Sequence, residues 1–264
     1  SLCKMTKPNI GIITAIGSQH IALFGSQEAL CKAKGELVEA IPNEGKVYLN
    51  TDSAPCISLI EKAKCPVIKI GTGGHADLEA YDIEETSNGI KFRIGEKTYN
   101  VPLHGTHNVT NVLLSIAVAK DIGIEEEEII QKLKSFSPPT QTFSVTNENG
   151  IKVLNDTHNA SISSFRAAIA WAKTQPIENK ILLTSGLMEL GELQDNIHTE
   201  MGTLSKNVFK RVIFLHKRNA ESFQKGFNIP VESYSSDSIP LDSQSLLVCI
   251  GKVPNSAINH LLSK

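Results

Sequence analysis

The run Ile10-Gly-Ile-Ile-Thr-Ala-Ile16, bounded by glycine and followed at once by a helical pattern, constrains the fold of this chain more than any other feature. A short β-branched apolar run suits a buried strand, and a buried strand needs cover on both faces. The next residues supply it. Leu30, Leu37 and Ile41 recur at helical spacing, Ser26 is placed to cap and Pro42 lies just past the end, which predicts a helix over 26–40. A strand over 47–50, a helix over 54–63 and a strand over 67–70 follow. This β-α-β-α-β rhythm implies a parallel sheet with crossover helices.

The rhythm then changes. Residues 90–94 and 98–101 alternate about a Gly95-Glu96 turn, the pattern of an antiparallel hairpin at an edge. Residues 108–121 are apolar and helical, and residues 125–136 form a helix with acids in its first turn, where the dipole favours them. Ser137-Pro138-Pro139-Thr140 stops helix propagation, because proline lacks an amide donor and fixes φ. The boundary falls there, giving domains 1–137 and 138–264. Beyond it, strands at 152–155, 181–184, 212–215 and 246–249 alternate with helices near 163–173, 196–205, 220–225 and 255–262, a second α/β domain. With 264 residues, 41% hydrophobic and 20% charged, the chain can bury two such cores.

Composition also narrows the partners. A net charge of -2 with no dominant Lys/Arg run gives no electrostatic reason for binding nucleic acid or an anionic membrane. No apolar run reaches membrane-spanning length. Cys3, Cys31, Cys56, Cys65 and Cys249 are scattered, without metal-ligand pairs, and fit reduced thiols in a cytoplasm. The first strand pattern begins almost at the opening Ser1, so the expectation is a piece of a longer protein whose N-terminal region is missing here.

Several residues could carry chemistry. Lys34 shares the i, i+4, i+7, i+11 series of Leu30, Leu37 and Ile41, which puts its amine on the apolar stripe. Either its stem packs while the head reaches water, or its chemistry is altered by its site. His20 follows the first strand, where ligands of open α/β sheets collect, and can be a metal ligand or a structural group. In Gly105-Thr-His-Asn-Val-Thr-Asn, His107, Asn108 and Asn111 share a face at a helix start, which suits an anion, while Thr106 can cap. Asn155-Asp-Thr-His-Asn-Ala-Ser161 crowds polar groups into a strand-to-helix turn, explicable by turn chemistry or by a site. Ser185-Gly-Leu-Met-Glu-Leu-Gly-Glu192 follows the next strand, with Glu189 facing the same side and His198 on the helix after it. No G-x-x-x-x-G-K-[ST] phosphate loop occurs, and Gly71-Thr-Gly-Gly-His75 is only a glycine-rich turn.

In order and spacing, the segment from Asn9 to Ser26 with Phe24-Gly-Ser, then Ala33-Lys-Gly-Glu-Leu, Leu49-Asn-Thr-Asp, His107-Asn-Val-Thr-Asn, Asp156-Thr-His-Asn-Ala and Met188-Glu-Leu-Gly-Glu with His198 and Gly202, resemble the Mur ligase family. Within it the resemblance is to the branch that joins a UDP-MurNAc-peptide to a D-alanyl-D-alanine-like amine. It implies the remainder of a central ATPase domain, parallel sheet plus antiparallel edge, followed by a Rossmann-like C-terminal domain. It also implies amide-bond formation in peptidoglycan precursor synthesis, driven by ATP and Mg²⁺ through an acyl-phosphate. By resemblance, Lys34 is carboxylated and helps His20 hold Mg²⁺, while His107, Asn108 and Asn111 lie by the nucleotide. Asp156, with a catalytic role, and Asn159 face nucleotide or substrate from the second domain.

Departures are equally specific. A family Gly-Arg is replaced by Gln141-Thr142, paired aspartates by Asn155-Asp156, and Lys-Gly-Ser by Ile250-Gly-Lys252. The alternatives are another ligase of the superfamily, such as a folylpolyglutamate synthase, or a non-catalytic binding or scaffolding module of Mur type. Phe24-Gly-Ser and Met188-Glu-Leu-Gly separate the first alternative from the Mur branch.

Overall fold

A computed structural model describes residues 2–17, 21–137, 139–158, 160–235, 237 and 240–263. The chain divides into two compact units, Ser1–Ser137 and Pro138–Lys264.

The first unit runs α1 (Cys3–Thr6), β1 (Ile10–Ile13), α2 (Ile21–Phe24), α3 (Gln27–Ala40), β2 (Lys46–Asn50), α4 (Ala54–Ile57), β3 (Val67–Gly71) and β4 (Leu78–Glu79). It continues with β5 (Tyr81–Thr86), β6 (Gly89–Ile94), β7 (Lys97–Val101), α5 (Asn108–Asp121) and α6 (Glu126–Lys134). Strands β1-β2-β3-β4 form a parallel sheet in that order, and β5-β6-β7 an antiparallel one. Ser26 caps α3 by accepting a hydrogen bond from Ala29 N at 3.1 Å. The apolar face of α5 serves both sheets: Val109, Leu113 and Ile116 share a core with Tyr48 and Ile70 of one and Phe92 and Tyr99 of the other. That sandwich fixes where α5 begins, at the first unit's candidate site.

Three expectations are corrected here. The first strand stops at Ile13 rather than running to Ile16. The helix expected over 54–63 is a single turn, Ala54–Ile57, followed by a 3-10 turn, Ile60–Lys62. The Ser58 hydroxyl donates to Pro55 O at 2.8 Å and Leu59 N bonds Cys56 O at 3.0 Å, so the chain tightens instead of propagating an α-helix. β5, too acidic and exposed to show an apolar period, adds a third strand to the expected hairpin.

The second unit runs β8 (Ser144–Glu148), β9 (Ile151–Asp156), α7 (Ile162–Thr174), β10 (Lys180–Gly186), α8 (Gln194–Ser205), β11 (Arg211–Phe214) and α9 (Ala220–Phe227). It closes with β12 (Glu232–Ser233), β13 (Leu246–Gly251) and α10 (Asn255–Leu262). The sheet order is β12-β11-β10-β13-β9-β8, parallel except for the edge strand β8. Side chains alternate across it. Leu182, Val212 and Val248 meet Phe165, Met201 and Phe223 of α7, α8 and α9, while Ile181, Ile213 and Leu247 meet Ile258 and Leu261 of α10. Strand β13 returns between β9 and β10, parallel to both, so the order of connection reverses there. Such a switch point opens a crevice at the carboxyl ends of the strands. Among the described residues no helix is long and apolar enough to cross a membrane.

Candidate functional site

In the first unit polar groups gather where β2 and β3 end. Asn50 Nδ2 donates to Thr14 O at 2.7 Å and Asn50 Oδ1 accepts from Asp52 N at 2.8 Å, which turns the Asp52 carboxylate back over the sheet. Asp52 then accepts from Thr72 N at 2.9 Å, from the Thr72 hydroxyl at 3.1 Å and from the Thr110 hydroxyl at 2.9 Å. One carboxylate thereby ties the glycine-rich turn to the first turn of α5. The approach is close enough that a Cβ on Gly71 would stand 2.8 Å from Asp52 Oδ1. Neither Asp52 nor Thr110 carries a role in the sequence reading. The available signal was the position of Asp52 directly after a strand.

The start of α5 is built by a second carboxylate. Glu85 of β5 bonds His104 Nδ1 at 2.7 Å through Oε1 and accepts from Gly105 N at 2.9 Å through Oε2. Gly105 has φ +88°, the left-handed conformation that reverses the chain into the helix. Asn108 Nδ2 donates to His104 O at 2.9 Å, and Asn111 Nδ2 donates to Asn108 Oδ1 at 3.1 Å. The two asparagines therefore share one face, and the helix begins at Asn108 with no side-chain cap from Thr106. Protein atoms crowded round His107 hold its imidazole below the ordinary range, the nearby Glu85 charge opposing this, although part of the residue stays open to solvent.

Lys34 departs from its expected place. It is exposed, not on the buried stripe of α3, which runs instead through Leu30, Gly35 and Val38. The reason is Gly35. Its bare Cα lets Leu59 pack close, at 3.1 Å from where a Cβ would be, and this turns the helix so that the neighbouring Lys34 faces outward. Its charge adds only a small part to the balance at the buried Cys56 thiol, which burial pushes up and hydrogen bonds with Ser53 and the Ile16 backbone chiefly draw down. His20 lies outside the described residues. Among those described, no three His, Cys, Asp or Glu side chains converge as a metal site.

In the second unit Asp156 ends β9 with 4% of its surface exposed. Its Oδ1 accepts from Phe143 N at 3.2 Å, while Oδ2 has no hydrogen-bond partner among the described residues. Burial raises its proton affinity, and Ser164 and the Phe143 amide only partly oppose this. A raised carboxyl pKa means the folded state loses stability as pH rises from the unfolded carboxyl range through the folded value. Asp156→Asn should therefore stabilise this unit at pH 7 by on the order of 1 kcal/mol. Thermal melts of the two proteins would show it, with the gap closing below pH ~4. A lower melting temperature for the variant at pH 7 would contradict it.

Gln141 stands where the resemblance expects glycine, and its φ of +65° is the glycine-favouring conformation. It is held by Asn255 Oδ1, which accepts from Gln141 Nε2 at 3.1 Å, and by His158 N, which donates to Gln141 O at 2.9 Å. Thr142 is exposed beside it. His158 is exposed, and Asn159 lies outside the described residues.

At the switch-point edge of the same unit lies a cavity of about 420 Å³. Ser185, Leu187 and Asn219 form buried walls, and Glu189, Arg218 and Lys252 bring charge to an exposed rim. Gly251, at φ +89°, lets the end of β13 approach β10, since a Cβ there would meet Ser185 Oγ at 2.6 Å. Arg218 and Lys252 sit on two loops far apart in sequence, which is why pattern reading did not pair them.

Two α/β units, each with polar groups gathered at the carboxyl ends of its parallel strands, define a scaffold of the open-sheet class, and comparison points to a family. Residues 1–119 match the Mur ligase middle domain, and the chain is similar to members of that family. Its relatives include the UDP-N-acetylmuramoyl-tripeptide–D-alanyl-D-alanine ligases of Bacillus subtilis, 29% identical over 83% of this chain, and of Synechocystis, 26% identical over 89%. The chain spans 48% and 51% of those two proteins, about half their length. Among solved structures, MurF from Acinetobacter baumannii superposes with a TM-score of 0.85 at 20% identity, covering 99% of this chain and 61% of that one. A MurF ligase from Thermotoga maritima in complex with ADP gives 0.82 at 22% identity, covering 99% and 62%. At these identities the structural likeness speaks for the fold.

Proposed function

We propose that the chain is the nucleotide- and amine-handling part of a longer, cytoplasmic, ATP-dependent ligase. That ligase joins a UDP-MurNAc-peptide carboxylate to a D-alanyl-D-alanine-like amine. The observation that carries the reading is Asp156: a carboxylate kept buried with one oxygen unpartnered among the described residues is accounted for by a ligand donor. By resemblance that donor belongs to the nucleotide or to the substrate.

The chemistry needs three things. The substrate carboxylate takes the terminal phosphoryl of ATP; the amine nitrogen then attacks the acyl carbon, the carbon–oxygen bond to phosphate breaks, and the amine sheds a proton. Asn108 and Asn111, aligned at the N-terminus of α5, offer amides and helix dipole to the nucleotide. Asp52 and Glu85 hold that turn in place before any ligand arrives, as preorganisation requires. Magnesium, when bound, supplies charge neutralisation at the phosphates. By resemblance, carboxylated Lys34 and His20 are the groups of this chain that would hold it; among the described residues no three His, Cys, Asp or Glu side chains converge beside them. Arg218 and Lys252 at the cavity rim suit the carboxylate of an incoming amine, and Glu189 its ammonium group.

The reading is tested on the full-length protein with ATP, UDP-MurNAc-tripeptide and D-alanyl-D-alanine. One phosphate per amide bond is expected, with hydroxylamine trapping an acyl hydroxamate when the dipeptide is left out. ATP turnover indifferent to both substrates, or none at all, would favour the non-catalytic reading that exposed Thr142 in place of an arginine allows.

A further inference from the structure

Behind the wall of the second unit's cavity stands a fully buried histidine that the chemistry above does not use. His198, on the second turn of α8, has no exposed surface. Its Nε2 accepts from Leu187 N at 3.0 Å, which requires the ring proton to sit on Nδ1, and Nδ1 donates to Gln194 O at 2.7 Å. The two bonds define a single neutral tautomer. Two neighbours complete a clamp on the same residue, at its carbonyl. Gln194 Nε2 donates to Leu187 O at 3.1 Å and to Asn219 Oδ1 at 2.9 Å. Gly186, at φ +75°, has room for no side chain: a Cβ would stand 2.5 Å from His198 Nε2 and 2.8 Å from Asn219 Nδ2.

The clamped residue opens the Leu187-Met188-Glu189 turn, and all three residues line the cavity together with Gln194 and Asn219. Glu189 takes a left-handed φ of +61°, so its direction depends on the peptides before it being fixed. We propose that His198 is a positioning residue. Through the Leu187 amide it fixes the turn that presents Glu189, and so sets the cavity's affinity for an amine-bearing substrate without touching it.

The arrangement has a built-in acid sensitivity. Burial holds the imidazole below its ordinary range, and the hydrogen bond to the Gln194 carbonyl and, less, the Asp195 charge on the same helix only partly oppose this. Across from the ring, the cavity loops carry Glu189, His216, Arg218 and Lys252, and the turn before α8 carries Glu192. A proton added to Nε2 would face the Leu187 N–H donor, and the clamp would open. Because the unfolded chain takes up that proton at higher pH than the folded one, stability also falls as pH drops below ~6.5.

Identification of the ligand as an amine rests on the function proposed above, whereas the clamp itself does not, and the test separates the two. In the full-length protein His198→Phe fills the ring volume without an acceptor, and should raise KM for D-alanyl-D-alanine about tenfold while leaving KM for ATP and kcat near wild type. His198→Gln keeps an acceptor that cannot titrate. It should restore the wild-type KM and remove the rise in KM that sets in well below pH ~6.5, beyond the rise due to protonation of the dipeptide's own amine. An unchanged amine KM in the Phe variant, or an excess acid rise that persists in the Gln variant, overturns the proposal. Independently of activity, the Leu187 amide resonance of the 264-residue chain should move with pH in the wild type and stay fixed in His198→Gln. A Leu187 signal that ignores pH overturns the proposal even if the Phe variant fails to fold. A clamp that titrates as expected in a protein that never consumes the dipeptide sinks the ligase reading instead.

Discussion

Lys34→Ala in the full-length protein is expected to lower substrate-dependent ATP turnover by about 10²- to 10³-fold, the size of effect seen when one preorganised electrostatic group is removed from a reaction centre. Short carboxylic acids should return part of it, because a small carboxylate can occupy the place left by a carboxylated amine. The structure sharpens this test. Lys34 is exposed on α3, so its loss should change folding stability by no more than about 0.5 kcal/mol. Activity and stability are thereby uncoupled, and steady-state phosphate release beside a thermal melt reads both. Full turnover in the variant would remove Lys34 from the mechanism. A fall in activity matched by a fall in melting temperature would point to misfolding.

Gly202→Ala is expected to have the largest effect on the fold. Gly202 lies in α8, where a helical glycine costs stability relative to alanine unless something demands it. Here α9 demands it: a Cβ on Gly202 would stand 2.0 Å from Phe223 O and 2.8 Å from Phe227 N. Gly226 of α9 answers from the other side, with Thr199 O at 2.0 Å from its own missing Cβ. The two helices touch backbone to backbone through paired glycines, and backbone cannot give as a side-chain tip can. The methyl group must push them apart and loosen Phe223 and Phe227 in the core beneath. A loss of about 3 kcal/mol and a fall of roughly 10 °C in the melting temperature of the second unit follow. Calorimetry of the chain would measure this, and a variant melting within a degree of wild type would show that the helices slide freely. His198 stands one helical turn before Gly202, so this contact also secures the clamp on Leu187.

The two expectations differ in what they needed. Lys34 and Gly202 were both legible as points of resemblance, but the orientation of Lys34 and the reason for Gly202 were not. Periodicity placed Lys34 in series with Leu30 and Leu37, and the face that α3 buries was decided by a neighbour, Gly35, against Leu59 from a later segment. Gly202 reads in sequence as a weak point in a helix. Only the approach of α9 makes it a requirement.

What the sequence determined by itself was the set of elements with strong local period. Helix α5 spans Asn108–Asp121 and α10 Asn255–Leu262 as their apolar spacing implies, Ser26 caps α3, and β2, β10, β11 and β13 are buried as their apolar runs imply, whereas β1, expected to be buried, leaves Ile10 and Ile12 exposed. These signals are local because burial repeats every 3.6 or 2 residues along one segment. Only the tertiary structure decided the rest. The polar edge strands β5 and β8 show no apolar period, and pairing alone makes them strands. The ties of Asp52 to Thr110, Glu85 to His104 and His198 to Leu187 join residues from different elements. A hydrogen bond carries energy only when both partners arrive at bonding distance, and that arrival is a property of the packed cores, not of any one stretch of chain.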